Sequence, residues 1–297
     1  MADPRSMAQQ AGAAFALDKR RLRQQFERAV PTYDAAAVLQ REVADRMLDR
    51  LDVIKRAPSR ILDAGCGTGY ATRALARRYR KAHITGCDLA LGMAARARRA
   101  AGWFGQKRFV CADAERLPFA DAAFGMVWSN LMLQWCEPSA VFAECLRVLE
   151  PGGLVTFTTF GPDTLQELRQ AWRHADGAAH VHAFLDMHDL GDALVRAGFA
   201  DPVMDVERIT LTYPDVYGAM HDLKALGAHN ALLARPRGLT GRDRFKRFQS
   251  AYEAMGKDGR LPATYEVVYG HAWVPATRVR REPGTVAIPI DTIRRRR

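Results

Sequence analysis

What the sequence lacks narrows it first. No apolar run among its 297 residues approaches the ~18 needed to span a membrane. The amino terminus has no apolar core of a signal peptide, and residues 1–14, rich in Ala and Gln, are expected to be mobile. Only five cysteines occur, Cys66, Cys87, Cys111, Cys136 and Cys145, far apart, odd in number and without a C-x-x-C pair. That pattern argues against a disulfide framework and a thiolate metal site. Reduced, mostly buried thiols in a cytoplasmic protein are expected, with no metal centre. Acids are in deficit: 33 Asp and Glu against 44 Lys and Arg leave a formal charge of +11.

The imbalance is local. Between residues 73 and 108 ten Lys/Arg meet one acid, whereas between 109 and 167 eight acids meet Arg116 and Arg147. From residue 278 onward seven arginines meet Glu282 and Asp291, ending in Arg294-Arg295-Arg296-Arg297. Such runs are either solvated helix faces or a basic surface that steers an acidic partner. No aromatic-interleaved basic stripe accompanies them, so no stable nucleic-acid partner is expected.

What is present is concentrated in Ile61-Leu62-Asp63-Ala64-Gly65-Cys66-Gly67-Thr68-Gly69. An apolar run ending in an acid and breaking into three glycines predicts a strand, a tight turn and a helix start. Glycine lets the backbone turn sharply and approach a ligand, and a helix start offers free N–H groups. The dinucleotide fingerprint G-x-G-x-x-G/A is not met, because Tyr70 stands where its last glycine belongs.

Strands are expected at 60–64, 83–87, 108–112, 124–129, 154–160, 203–212 and 264–273, and helices at 17–28, 35–54, 70–79, 92–101, 139–148 and 187–197. Pro31 ends the first helix and Asp34 is a candidate N-cap for the second. The βαβ rhythm after Pro58 predicts a parallel sheet. Residues 213–262 read as an insertion with helices at 216–226 and 242–255, and this lid and the N-terminal helices are expected to cover the mouth of the cleft. The chain thus divides into an N-terminal helical segment (1–57), one α/β domain (58–274) and a basic tail (275–297).

In an open α/β sheet, ligands bind beyond the carboxyl ends of the strands. Asp63, Asp88 and Asp113 stand at three such ends. With the glycine turn, this ordered set resembles the class I S-adenosylmethionine-dependent methyltransferases. The resemblance implies a seven-stranded Rossmann-like sheet and S-adenosylmethionine as cofactor. It also implies a cofactor site of Asp63, Gly65, Cys66, Gly67, Gly69, Asp88, Leu89, Met93, Asp113 and Ala114. Asp63 would face the amino-acid end, Asp88 the ribose hydroxyls and Asp113 the adenine amino group. Gly65 and Gly69 have a purely geometric reading beside this one, and Leu89 and Met93 a core-packing one.

Segments outside the cofactor motifs resemble the malonyl-acyl-carrier-protein O-methyltransferases of biotin synthesis over roughly residues 18–274. They are Val30-Pro31-Thr32-Tyr33-Asp34 with Leu39-Gln40, Phe160-Gly161-Pro162-Asp163-Thr164-Leu165-Gln166-Glu167-Leu168-Arg169, Asp222-Leu223-Lys224-Ala225-Leu226-Gly227-Ala228-His229-Asn230, and Tyr269-Gly270-His271-Ala272-Trp273. This resemblance implies methylation of the free carboxylate of a malonyl group carried on an acidic acyl-carrier protein. A carboxylate with a pKa near ~4 is already ionised at neutral pH, so such a reaction needs no general base.

Candidate catalytic residues are Tyr33, Asn130 after the fourth strand, and Arg169 as a cationic clamp. No Pro-Pro follows Asn130, unlike the signature of amino-methylating nucleic-acid enzymes. Basic residues Arg235, Arg237, Arg242, Arg244, Lys246 and Arg247 on the insertion are candidates for receiving the carrier protein. Another small-molecule methyltransferase, of quinone or polyketide type, and a non-methylating assembly factor on the same fold remain alternatives.

Overall fold

The computed structural model describes residues 17–102, 107–178, 180–228, 230–231 and 240–276. The expectations for residues 1–14, His229, Arg235, Arg237 and the Arg-rich tail lie outside these. One sheet of seven strands runs in the order β3-β2-β1-β4-β5-β7-β6. The strands are β1 Arg60–Ala64, β2 His83–Asp88, β3 Lys107–Cys111, β4 Phe124–Ser129, β5 Leu149–Phe160, β6 Ala200–Tyr213 and β7 Leu261–Trp273. The first five pair in parallel, and β7 lies antiparallel between β5 and β6. Strand order reverses between β1 and β4, where a crevice must open.

Central strands are buried on both faces, as covered parallel sheets require. Ile61 joins one apolar layer and Leu62 the other, because alternate side chains leave a strand on opposite faces. The first layer includes Leu75, Trp128 and Trp172; the second includes Val127, Phe142 and Leu194. Burial of each such side chain stabilises the fold by about 1.5–3 kcal/mol.

The helices are α1 Lys19–Ala29, α2 Tyr33–Ala36, α3 Val38–Arg50, α4 Tyr70–Arg78, α5 Leu91–Ala100, α6 Pro138–Val148, α7 Gln166–Ala175, α8 Met187–Ala197, α9 Val216–Ala225 and α10 Arg242–Glu253. Two expectations need correction. The helix expected at 35–54 is broken at Ala37, whose ψ of 43° leaves the helical region, and Asp34 is not its N-cap. Thr32 precedes α2, and the Asp34 carboxylate instead meets the Arg96 guanidinium at 2.7 Å. A charge-assisted pair is stronger than a cap to a neutral amide. Helix α7 was outside the expected set, although Leu168, Ala171, Trp172 and Ala175 share helical spacing and form its buried face.

Of the insertion, α10 lies along α7, where the Trp172 and Phe248 rings stack at 4.0 Å. Among the described residues of the insertion, α9 and the turn after it reach the crevice, through Met220, Leu223, Leu226 and Ala228. No helix of the described residues is long and apolar enough to cross a membrane.

Candidate active site

The chain leaves β1 at Asp63 and turns through Gly65, Gly67 and Gly69, whose φ angles are +76°, +52° and +82°. Each lies in the left-handed region that side chains avoid. A Cβ on Gly65 would sit 2.4 Å from Met132 Cγ, and one on Gly69 would sit 2.9 Å from the Ala97 Cβ. Gly69 therefore lets α4 approach α5 and does not line the cleft. Gly67 has ordinary clearance, with the Tyr33 hydroxyl 3.8 Å from such a Cβ.

Asp88 ties this turn to β2. Gly67 N–H donates to one carboxylate oxygen at 2.9 Å and Ala90 N–H to the other at 2.9 Å. Burial raises its pKa to about 6, and those two hydrogen bonds oppose the rise. Asp63 is 1% exposed and accepts a hydrogen bond from the Thr72 hydroxyl. Burial lifts it to about 7, with the Asp88 charge adding to the rise and Thr72 opposing it. Two acids that titrate near neutrality at a glycine turn are what a functional site displays.

Three adjoining lobes open above the carboxyl ends of β1 and β4. The first, about 860 Å³ including its open mouth, is lined by Gly65, Gly67, Asp88, Leu89, Met93, Asp113, Ala114, Tyr33 and Asn130. A second lobe of about 780 Å³ adds Asp63, Cys66, Thr68, Arg41 and Arg73. The third, about 1210 Å³, runs beneath α9 between Phe160, Trp172, Leu223 and Tyr265. Of the ten expected cofactor residues, nine line the first two lobes, and Gly69 supports them from behind. Burial raises the Cys66 thiol well above its ordinary pKa, so it stays neutral.

The site fits S-adenosylmethionine on its own geometry. Each Asp88 oxygen already accepts one backbone N–H and retains lone-pair capacity for a ribose hydroxyl. Leu89 and Met93 supply an apolar wall beside it, and Asp113 closes the far end. Asp113 accepts from Glu115 N–H at 3.0 Å and meets the Lys19 ammonium at 3.1 Å. Lys19, Leu22 and Phe26 on α1 also line the first lobe, in keeping with the N-terminal helices expected to cover its mouth. No local motif marks them.

A family model described as a methyltransferase domain matches residues 62–157. The chain is 58% identical over 278 residues to a malonyl-[acyl-carrier protein] O-methyltransferase from Laribacter hongkongensis, covering 91% of this chain and 94% of that protein. This chain belongs to that methyltransferase family. Its counterpart from Halorhodospira halophila is 51% identical over 292 residues, 96% of this chain and 99% of the other. A putative methyltransferase from Bacillus halodurans superposes with a TM-score of 0.55 at 16% identity, over 78% of this chain and 98% of that one, which speaks for the fold alone.

The three candidate catalytic residues of this methyltransferase separate on inspection. Tyr33 lines the cleft, and burial followed by the nearby Asp88 charge pushes its phenol far above the usual range. Held protonated, it is not a base. Asn130 lines the first two lobes, but its amide donates to the Gln40 carbonyl at 2.9 Å and accepts from the Thr158 hydroxyl at 2.8 Å. It holds Gln40 and the strained Leu131 turn (φ 47°) in place. Arg169 does not reach the cleft as a clamp. Its guanidinium donates to the carbonyls of Pro162, Thr164 and His182, pinning the loops on either side of α7. Sequence spacing could not reveal this.

Proposed function

We propose that this protein transfers a methyl group from S-adenosylmethionine to the free carboxylate of a malonyl group on acyl-carrier protein. The methyl ester formed would prime pimeloyl synthesis for biotin. The observation that carries the reading is 58% identity across 91% of the chain to a relative named for that reaction, joined to a cleft built for the donor. S-adenosylmethionine supplies an electrophilic methyl on a positively charged sulfur.

The residues' part is orientation and exclusion of water. A carboxylate oxygen of the malonyl group forms the new O–CH3 bond as the S–CH3 bond breaks, and no proton moves. Burial keeps the imidazole of His182 neutral, with a pKa of about 4, and its Nε2 accepts from Ala231 N–H at 2.9 Å. Neither it nor the protonated Tyr33 serves as a base, which suits an already ionised nucleophile.

The acidic carrier protein would be received by exposed basic side chains on α10. Arg244 and Arg247 turn partly back onto the end of α7, to Asp176 and the Ala175 carbonyl. Arg242 and Lys246 are the more accessible pair for the partner. The decisive experiment is mass spectrometry of malonyl-acyl-carrier protein after incubation with the enzyme and S-adenosylmethionine. A gain of one methyl group, removed by mild ester hydrolysis, is expected; unchanged mass would overturn the reading.

A further inference from the structure

Gln40 stands alone in one respect: among the described residues only it lines all three lobes. It is the polar group at the junction between the two cofactor lobes and the apolar lobe. Its side-chain oxygen is shut off from solvent and meets no donor, so the N–H end of the amide is the end left for the cleft. Its backbone carbonyl is held by the Asn130 amide at 2.9 Å, so the side chain starts from a fixed point.

The cations of the first two lobes are otherwise engaged. Lys19 pairs with Asp113 and Glu115, Arg41 donates to the Asp34 carbonyl, and Arg73 donates to the Thr68 carbonyl. Methylating a carboxylate with a sulfonium destroys two opposite charges as the bond forms. A guanidinium clamp would stabilise the charged ground state more than the half-neutralised transition state and so slow the reaction. A neutral amide N–H orients one oxygen without that penalty, and the sulfonium itself is the counter-charge.

Resting on the proposed reaction, we infer that the Gln40 amide holds the substrate carboxylate. The apolar lobe beyond it takes the thioester arm. The amide offers its N–H groups to the carboxylate. Leu168, Trp172, Phe184 and Leu223 give that arm an apolar sleeve leading outward to the exposed Lys224.

The test uses the full chain, malonyl-pantetheine as substrate and S-adenosylhomocysteine as the binding probe. Gln40→Met, close in size and without hydrogen-bonding groups, should lower kcat/KM about 30-fold, as loss of one bond to a charged group implies. Its affinity for S-adenosylhomocysteine should stay that of the wild type, which also shows that the variant is folded. Leu223→Trp, which fills the lobe, should raise KM for the same thioester with that affinity again retained. Wild-type kcat/KM in Gln40→Met, or an equal loss of S-adenosylhomocysteine binding, would overturn the assignment. Absence of methyl ester with the wild-type enzyme would instead overturn the proposed reaction as a whole.

Discussion

The ammonium of Lys19 lies 3.1 Å from the carboxylate of Asp113, across 94 positions of sequence. This pair fastens α1 to the end of β3 over the first lobe, and Glu115 adds a second contact at 2.8 Å. Helix α1 is therefore a wall of the first lobe and not an appendage to the sheet.

Removing the fastening should loosen the cofactor without abolishing its binding. A partly exposed ion pair contributes roughly 0.2–1 kcal/mol. Lys19→Met is expected to weaken S-adenosylhomocysteine about two- to fivefold by calorimetry at low salt. The difference should shrink at about 0.5 M salt, where such pairs are screened. A salt-independent defect would point to lost packing of the lysine stem instead.

Asp88 carries a larger share. Asp88→Asn keeps the shape but loses the charge, and one amide edge can no longer accept from Gly67 or Ala90. Affinity for S-adenosylhomocysteine is expected to fall about 100-fold, from two charge-assisted bonds at ~1.5 kcal/mol each. Binding within a factor of three of the wild type would remove Asp88 from the ribose role.

The two cleft acids predict opposite pH trends for binding and for stability. In the free protein Asp88 titrates at about 6 and Asp63 at about 7. If ribose and amino-acid groups favour the ionised carboxylates, the dissociation constant rises as pH falls through 7 and 6. For folding the sign reverses. Both pKa values lie above the unfolded value near ~4, so ionising these acids opposes the fold. Their contribution is fully present below about 4 and is lost as pH rises through 6 and 7. Asp63→Asn, which keeps an acceptor for Thr72, should melt at a higher temperature than the wild type at pH 8. That advantage should vanish near pH 4, which a pair of calorimetric melts would check.

Arg169→Met separates a structural arginine from a catalytic one. Three carbonyl partners are lost, and a destabilisation of about 2 kcal/mol is expected by urea titration. Well below the melting temperature, kcat on malonyl-pantetheine should remain within about threefold of the wild type. A loss above 100-fold with unchanged stability would restore the clamp.

Carrier-protein docking is tested by charge reversal. Arg242→Glu with Lys246→Glu should raise KM about tenfold for malonyl-acyl-carrier protein, since rim charges act mainly through encounter. Malonyl-pantetheine, which lacks the acidic protein, should be turned over as before. Equal losses on both substrates would dismiss this surface.

The sheet and most residues that line the first two lobes beside the glycine turn were legible from local pattern. Five βαβ-spaced apolar runs, three strand-end acids and a glycine turn each encode a short-range backbone requirement, and the strands appear within a few residues of their expected bounds. The substrate half was not legible in that way. Whether Arg169 faces a ligand or three carbonyls, whether Asn130 meets substrate or braces Gln40, and whether Lys19 reaches Asp113 all depend on contacts between segments distant in the chain. Sequence by itself determined which residues can turn, alternate and carry charge, because those are properties of single residues and their neighbours. Tertiary structure alone decided which polar groups were already satisfied by protein and which remained for a ligand, because hydrogen-bond partners are allotted by packing and not by spacing.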